Sequence, residues 1–178
     1  MSKDDDQVPA WGPADASLKP PGQAAAIQAR ERGGVRGAMA VTIRLAVQAD
    51  IDALLALDAV GGVEERRHAK IERWVAAGEA VAADDGSCLV GYAALEYTFF
   101  DQGFIAMLQV APSYRRNGVA TSLLRYLERT CRTPKLFTST NESNAPMRAL
   151  METLGYEPSG VVHNLDEGDP ELFFYKAL

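Results

Sequence analysis

Leu108-Gln109-Val110-Ala111-Pro112-Ser113-Tyr114-Arg115-Arg116-Asn117-Gly118-Val119-Ala120 reads as a strand, a tight basic loop and the start of a helix. After it, Val119, Ala120, Leu123, Leu124, Leu127 and Cys131 fall on one apolar stripe, and Arg125, Glu128, Arg129 and Arg132 fall off it. The spacing predicts a helix over Asn117 to Cys131 with those charges facing outward. The first N–H groups of such a helix have no intrahelical acceptor, and the positive end of the helix dipole lies there. Gly118 removes a side chain so that a ligand can approach the backbone, and Ala120 keeps the next approach open. Arg115 and Arg116 add charge-assisted donors. These residue types in this order make an anion site, and a pyrophosphate fits it. The loop is not a Rossmann turn, because no second glycine precedes Gly118, and no Gly-Lys-Ser/Thr follows to make a P-loop.

Working outward, the chain alternates short strands and helices from Val41 onward. Val41 to Leu45 is a strand, and Asp50 is placed to cap a helix through Ile51, Leu54, Leu55 and Asp58. Gly61-Gly62 breaks the chain before a second helix over Glu64 to Ala77. Glu79 to Ala83, Cys88 to Phe99 and Gly103 to Val110 read as strands, the first two joined by the turn Asp84-Asp85-Gly86-Ser87. Lys135 to Thr140 is a strand. Asn144 to Leu154 is a helix, with Asn144 as cap, Pro146 in the first turn and Gly155 as stop. Two strands close the chain, near Tyr156 to Asn164 and Glu171 to Lys176. Turn-joined strands mixed with helices predict an α/β fold with a mixed sheet. Residues 1–38 differ: Pro9, Pro13, Pro20 and Pro21 stand among Ala, Gly and Gln with no sustained period, apart from a short Ala24–Arg32 helix. They read as a flexible tail before a domain at 39–178, and Met39 is an alternative start.

The run Arg115-x-x-Gly118-x-Ala120, preceded by Val110-x-Pro112, resembles the pyrophosphate signature of the GNAT superfamily of N-acetyltransferases. Asn144 through Leu154-Gly155-Tyr156 is similar to the helix of that family that opens on Asn and ends in Leu-Gly-Phe/Tyr. The resemblance covers about Val41 to Leu178. It implies a mixed central sheet with a splayed strand pair and helices on both faces, and acetyl-CoA as acyl donor. Leu108, Gln109 and Val110 would then offer backbone groups to the pantetheine arm, and Arg115, Arg116, Asn117, Gly118, Val119 and Ala120 would hold the pyrophosphate, with Thr121 near. Asn144 would touch the pantetheine from the other side, and the strands would part near Phe137. The reaction implied is direct transfer of acetyl to a primary amine of a small molecule or peptide. An acyl-CoA-binding regulatory module with little turnover is the alternative, because Met151 stands where the family often has a Tyr that protonates the departing thiolate, and Met has no proton to donate.

An amine must lose a proton before it attacks a thioester. Glu96, inside the apolar run Ala93-Ala94-Leu95-Glu96-Tyr97, is one candidate base, its proton affinity expected to rise through burial. His163, ahead of the acidic run Asp166-Glu167-Gly168-Asp169, is the other. Tyr97, Tyr156 and Tyr175 are candidate replacement acids. Pro112 to Lys135 carries six basic residues and one acidic, whereas Glu142 to the end carries seven acidic and two basic. The first block suits an anionic ligand and the second a cationic acceptor. A net charge of −6 argues against nucleic acid. The two cysteines, Cys88 and Cys131, sit in apolar-periodic segments and are expected as buried thiols, with no Cys/His spacing for a metal. With no apolar run of membrane-spanning length and no secretory signal, a cytoplasmic monomer or homodimer without a membrane partner is expected.

Overall fold

The structure, a computed structural model, describes residues 41–58 and 64–178. The expected tail at 1–38, its short helix and the Gly61-Gly62 break lie outside the described residues. Among those described, the strands are β1 (Thr42–Leu45), β2 (Ala80–Asp84), β3 (Leu89–Phe99), β4 (Gln102–Val110), β5 (Lys135–Asn141), β6 (Glu157–Val162) and β7 (Glu171–Ala177). The helices are α1 (Ile51–Asp58), α2 (Glu64–Ala76), α3 (Val119–Thr130) and α4 (Ala145–Thr153). The strands form one sheet in the order β1-β2-β3-β4-β5-β7-β6. Every neighbouring pair is antiparallel except β4 and β5, which are parallel. This is the mixed α/β sheet that the sequence pattern predicts, with the helices on both faces that the resemblance implies.

Two apolar layers hold it. On one face Leu54, Ile71 and Trp74 of α1 and α2 pack on Ala82, Tyr92 and Ala94. On the other, Leu123, Leu124 and Leu127 of α3 and Met151 of α4 pack on Ala93, Leu95, Ile105 and Leu136. Alternate residues of β3 thus serve opposite cores, as the period of a strand requires.

Several local expectations are corrected. Asp50 does not cap α1 from in front: it ends a short 3-10 turn, Gln48–Asp50. Its carboxylate turns back to accept from the Val47 N–H at 2.8 Å and pairs with Arg44 at 2.7 Å, so the charge binds β1 to the turn. Arg44 and the Val47 N–H hold Asp50 below the usual carboxylate range. Cys88 is exposed in the β2–β3 turn, because the turn claims it, while Cys131 is half-buried. Glu128 does not face solvent. It lies between Arg125 at 2.8 Å and Lys176 of β7 at 2.9 Å, tying α3 to the far side of the sheet. Tyr126 joins the buried stripe of α3 in addition to the aliphatic residues.

Gly91 faces Val110 across the β3–β4 ladder, and a Cβ there would come to 2.8 Å of the Gln109 carbonyl oxygen. Backbone cannot yield there without opening the ladder. Gly91→Ala is expected to lower unfolding stability by about 1–3 kcal/mol in urea denaturation; an unchanged midpoint would show that the two strands slide apart freely.

Candidate functional site

The parallel pair β4–β5 is short. Only Gly103, Phe104 and Ile105 match Leu136, Phe137 and Thr138. Beyond that point β5 stays with β7 as far as Asn141 opposite Glu171, and β4 stays with β3 as far as Val110 opposite Gly91. The strands therefore part. The β3–β4 register shows why: Ile105 faces Leu95 and Met107 faces Ala94, which leaves Ala106 as an extra residue. A bulge of this kind bends the strand that carries it. The Thr138 hydroxyl donates to the Ile105 carbonyl at 3.2 Å and closes the apex of the gap. The β5-facing edge of β4 from Ala106 to Val110 has no strand partner; Leu108 turns its backbone groups to that edge, while the Gln109 carbonyl faces Gly91 of β3, which corrects the expected backbone role of Gln109. The resemblance put the parting near Phe137. Phe137 lies inside the paired region, and β5 leaves β4 after Thr138, from Ser139 onward.

The loop after β4 is shaped by two left-handed residues, Arg116 at φ 63° and Gly118 at φ 80°. Gly118 precedes α3, and the first bond into the helix runs from the Ser122 N–H to the Gly118 carbonyl at 2.9 Å. Among the described residues, the six N–H groups from Arg116 through Asn117, Gly118, Val119 and Ala120 to Thr121 meet no protein acceptor outside regular secondary structure. A Cβ on Gly118 would meet nothing within 4 Å, so that position opens on free space. The loop is held from behind. The Arg115 Nε donates to the Val110 carbonyl at 3.2 Å, and the Tyr114 hydroxyl donates to Asp85 at 2.6 Å. That bond to Asp85 pushes the Tyr114 phenol up to about 12.

The loop borders a groove of about 610 Å³ between α3 and α4, lined on one bank by Val110, Arg115, Arg116, Gly118 and Thr121. Ala149, Leu150 and Thr153 of α4 form the other bank. Sequence reading missed this second bank. The spacing of Leu150 and Thr153 was its signal, but Leu150 read as part of the core stripe. Asn144 stands at the head of α4 with its amide engaged: it accepts from the Met147 N–H at 3.3 Å and donates to Thr140 at 3.0 Å.

The catalytic candidates do not converge. Glu96 lies on the α1/α2 face, where it accepts from Arg73 at 2.6 Å, Trp74 Nε1 at 2.9 Å and Thr98 at 3.0 Å. Burial pushes this carboxyl up, but the bonds from Trp74, Arg73 and Thr98 outweigh it and hold Glu96 below its ordinary range. The expected rise is thus corrected, because the pocket that buries the carboxylate also supplies its donors. His163 is exposed just past the end of β6. The acidic loop after it is docked: Asn141 donates to Asp166 at 2.8 Å, and the Ser143 hydroxyl donates to Asp169 at 2.6 Å. Met151 is fully buried in the α3/α4 core. Of the tyrosines, Tyr97 accepts from the Arg132 N–H at 3.0 Å, Tyr156 lies under Lys176, and Tyr175 stacks near Phe137; none lines the groove. An unforeseen cluster stands by the gap: Tyr92 donates to Asp58 at 2.9 Å, and Arg67 pairs with Asp58 at 3.4 Å and reaches the Met107 sulfur at 3.5 Å. Among the described residues no group of acidic, Cys and His side chains could hold a metal ion, and no helix is long and apolar enough to cross a membrane.

Residues 49–156 match the model of the acetyltransferase (GNAT) family. An acetyltransferase of that family from Bacillus cereus ATCC 10987 is 36% identical over 77% of this chain and 96% of its own, with a TM-score of 0.73. Ribosomal-protein-alanine N-acetyltransferase from Brucella melitensis is 27% identical over 76% of this chain and 99% of its own, with a TM-score of 0.63. The fold is also shared with yncA from Salmonella typhimurium, solved with its cofactor acetyl-CoA, at 18% identity over 78% of this chain and 94% of that one and a TM-score of 0.65. No curated protein matches the chain.

The bonds to Glu96 set a pH dependence. A carboxyl whose folded pKa lies below its ordinary 4.5 adds stability above that value and loses it as the pH falls through the folded pKa. Glu96→Gln is expected to cost about 1–3 kcal/mol at pH 7, as for other hydrogen bonds to a charged group. The difference from wild type should narrow in denaturation curves taken below pH 4. A gap that widened in acid would mean that Glu96 is protonated in the folded protein.

Proposed function

The chain belongs to the GNAT acetyltransferase family, and on that premise we propose that it transfers an acetyl group from acetyl-CoA to a primary amine of a small molecule or peptide. The observation that carries the proposal is the row of unpaired N–H groups from Arg116 to Thr121 beside a parted strand pair. A diphosphate needs several donors at close range and room for its oxygens, and this loop offers both, with Arg115 and Arg116 as counter-charges. The open edge of β4 at Leu108 is free to bond an amide-bearing arm laid along it, whereas the Gln109 carbonyl turns to β3. The Val110 carbonyl is already taken by Arg115, so its part is to fix the loop. Asn144, just past the end of β5, is proposed to meet the pantetheine arm from the other side, as a cap that also orients Thr140.

When bound there, acetyl-CoA supplies the activated acetyl group: the amine nitrogen forms a bond to the carbonyl carbon as the carbon–sulfur bond breaks and the thiolate leaves. The chain's own part is to exclude water, align the amine and take its proton. Glu96, kept ionised through the neutral range by Arg73 and Trp74, takes that proton through water in this reading, as a weak base. His163 is the second group proposed for the role. A normal rate in Glu96→Gln would transfer it to His163. The docked acidic loop Asp166–Asp169 favours an acceptor that arrives as a cation. The protein acts in this reading as a cytoplasmic enzyme with residues 39–178 as its catalytic domain. Met151, buried in the core, supports a second reading, an acyl-CoA-binding module with little turnover; CoA binding without thiol release across an amine panel would establish it.

Gly118→Val tests the cradle. A β-branched side chain at φ 80° is strained and projects into the open space that the diphosphate needs. CoA affinity by calorimetry is expected to fall by at least about tenfold, equivalent to 1.4 kcal/mol, while the chain stays folded. Unchanged affinity would place the anion site elsewhere.

A further inference from the structure

Five aromatic side chains, Phe99, Phe104, Phe137, Phe173 and Tyr175, form a wall on the α1/α2 face of the sheet. The Phe99 ring centroid lies 4.9 Å from Phe104, 5.3 Å from Phe137 and 5.7 Å from Phe173, and Phe137 lies 5.8 Å from Tyr175. The wall crosses β3, β4, β5 and β7. All five rings are only half-buried. Helices α1 and α2 stand over β2, β3 and β4, and α3 and α4 pack on the opposite face. Among the described residues no helix covers β5 and β7 on the aromatic side.

The wall is continuous with the gap. Phe104 and Phe137 form the middle of the three β4–β5 pairs. Phe173 faces Ser139, the first residue of β5 beyond the last pair. The basic groove opens on the α3/α4 face, so a second reactant meets the gap from the aromatic side. Glu171 shares a strand face with Phe173, two residues away and therefore about 7 Å along β7, opposite Asn141 at the open end of the gap. A carboxylate and a ring at that separation complement an ammonium on a short tether to an aromatic group.

The hairpin above the wall carries backbone strain. The β3–β4 register breaks between Glu96 and Phe99, so that the tip turns inward and Phe99 lies over the sheet. The tip is Phe100-Asp101 at φ 50° and 57°. Such turns favour Asn-Gly, and a bulky residue there is strained. Phe100 stands there 79% exposed, with its ring edge-on to Phe99 at 5.0 Å. Backbone strain of this kind collects where ligands are clamped.

We propose that this wall receives the group that carries the acceptor amine, and that the acceptor is an amine on an aromatic or large apolar group, its ammonium turned toward Glu171. The proposal rests on the acetyl-transfer reading and deepens it by naming the acceptor class. The test is calorimetric binding of phenethylamine and of ethylamine to the full chain saturated with CoA. Phenethylamine is expected to bind at least about tenfold more tightly. Phe173→Ala should erase most of that preference without changing CoA affinity. Phe100→Gly, which relieves the φ strain and should melt no lower than wild type, should also weaken phenethylamine several-fold. Equal affinity for the two amines, no detectable binding of phenethylamine, or full affinity in both variants would overturn the proposal. So would a dimer that Phe173→Ala splits with amine affinity intact, since the wall would then be an interface between copies. Failure of CoA itself to bind would sink the acetyl-transfer reading first, and is read in a separate titration.

Discussion

The parting of β4 from β5 after three paired residues governs the rest of the structure. Backbone N–H and C=O groups must find partners, and a sheet normally supplies them. Here Ala106 is inserted between the registers of Ile105 and Met107, so β4 follows β3 while β5 follows β7. Two half-sheets diverge from one apex pinned by Thr138. The divergence leaves an open strand edge facing a gap through the sheet, with a groove on one face and aromatic rings on the other. Each half has its own anchors: α1 and α2 on β2 to β4, and Glu128 with Lys176 between α3 and β7.

Electrostatics sorts the two faces. The α3/α4 face presents a row of N–H groups at the positive end of α3 together with Arg115 and Arg116. The acidic β6–β7 loop is drawn onto the β5–α4 loop by Asn141 and Ser143, so its charges are held at the end of β5. The basic loop is likewise fixed before any ligand arrives, through Tyr114 on Asp85 and Arg115 on the Val110 carbonyl. Preorganisation of this kind lowers the ordering cost of binding.

Much of this was legible in the sequence, for identifiable reasons. The stripe Val119, Leu123, Leu124, Leu127 has a helical period, and Gly118 before it leaves the backbone bare for a ligand, so loop and helix could be placed from spacing alone. Asn144 and Gly155 bracket α4 with the residues its ends demand. What could not be read depends on partners distant in the chain. The Ala106 bulge is visible only in the register with Leu95 and Ala94. Glu96 looked like a carboxylate stranded among apolar residues, because Arg73 and Trp74 are more than twenty positions away. Glu128 looked solvent-facing because its partner Lys176 lies on the last strand. The aromatic wall draws its five residues from four strands, and no short window of sequence holds more than two of them.

The central claim is that the six amides from Arg116 to Thr121 await an anionic ligand. Amide hydrogen exchange on the full chain, with and without CoA, reads those groups directly. The account predicts that CoA slows exchange chiefly at Arg116–Thr121 and at Leu108, with little change in β1 and β2. Protection that arises elsewhere while these amides exchange as fast as in the free protein would contradict it.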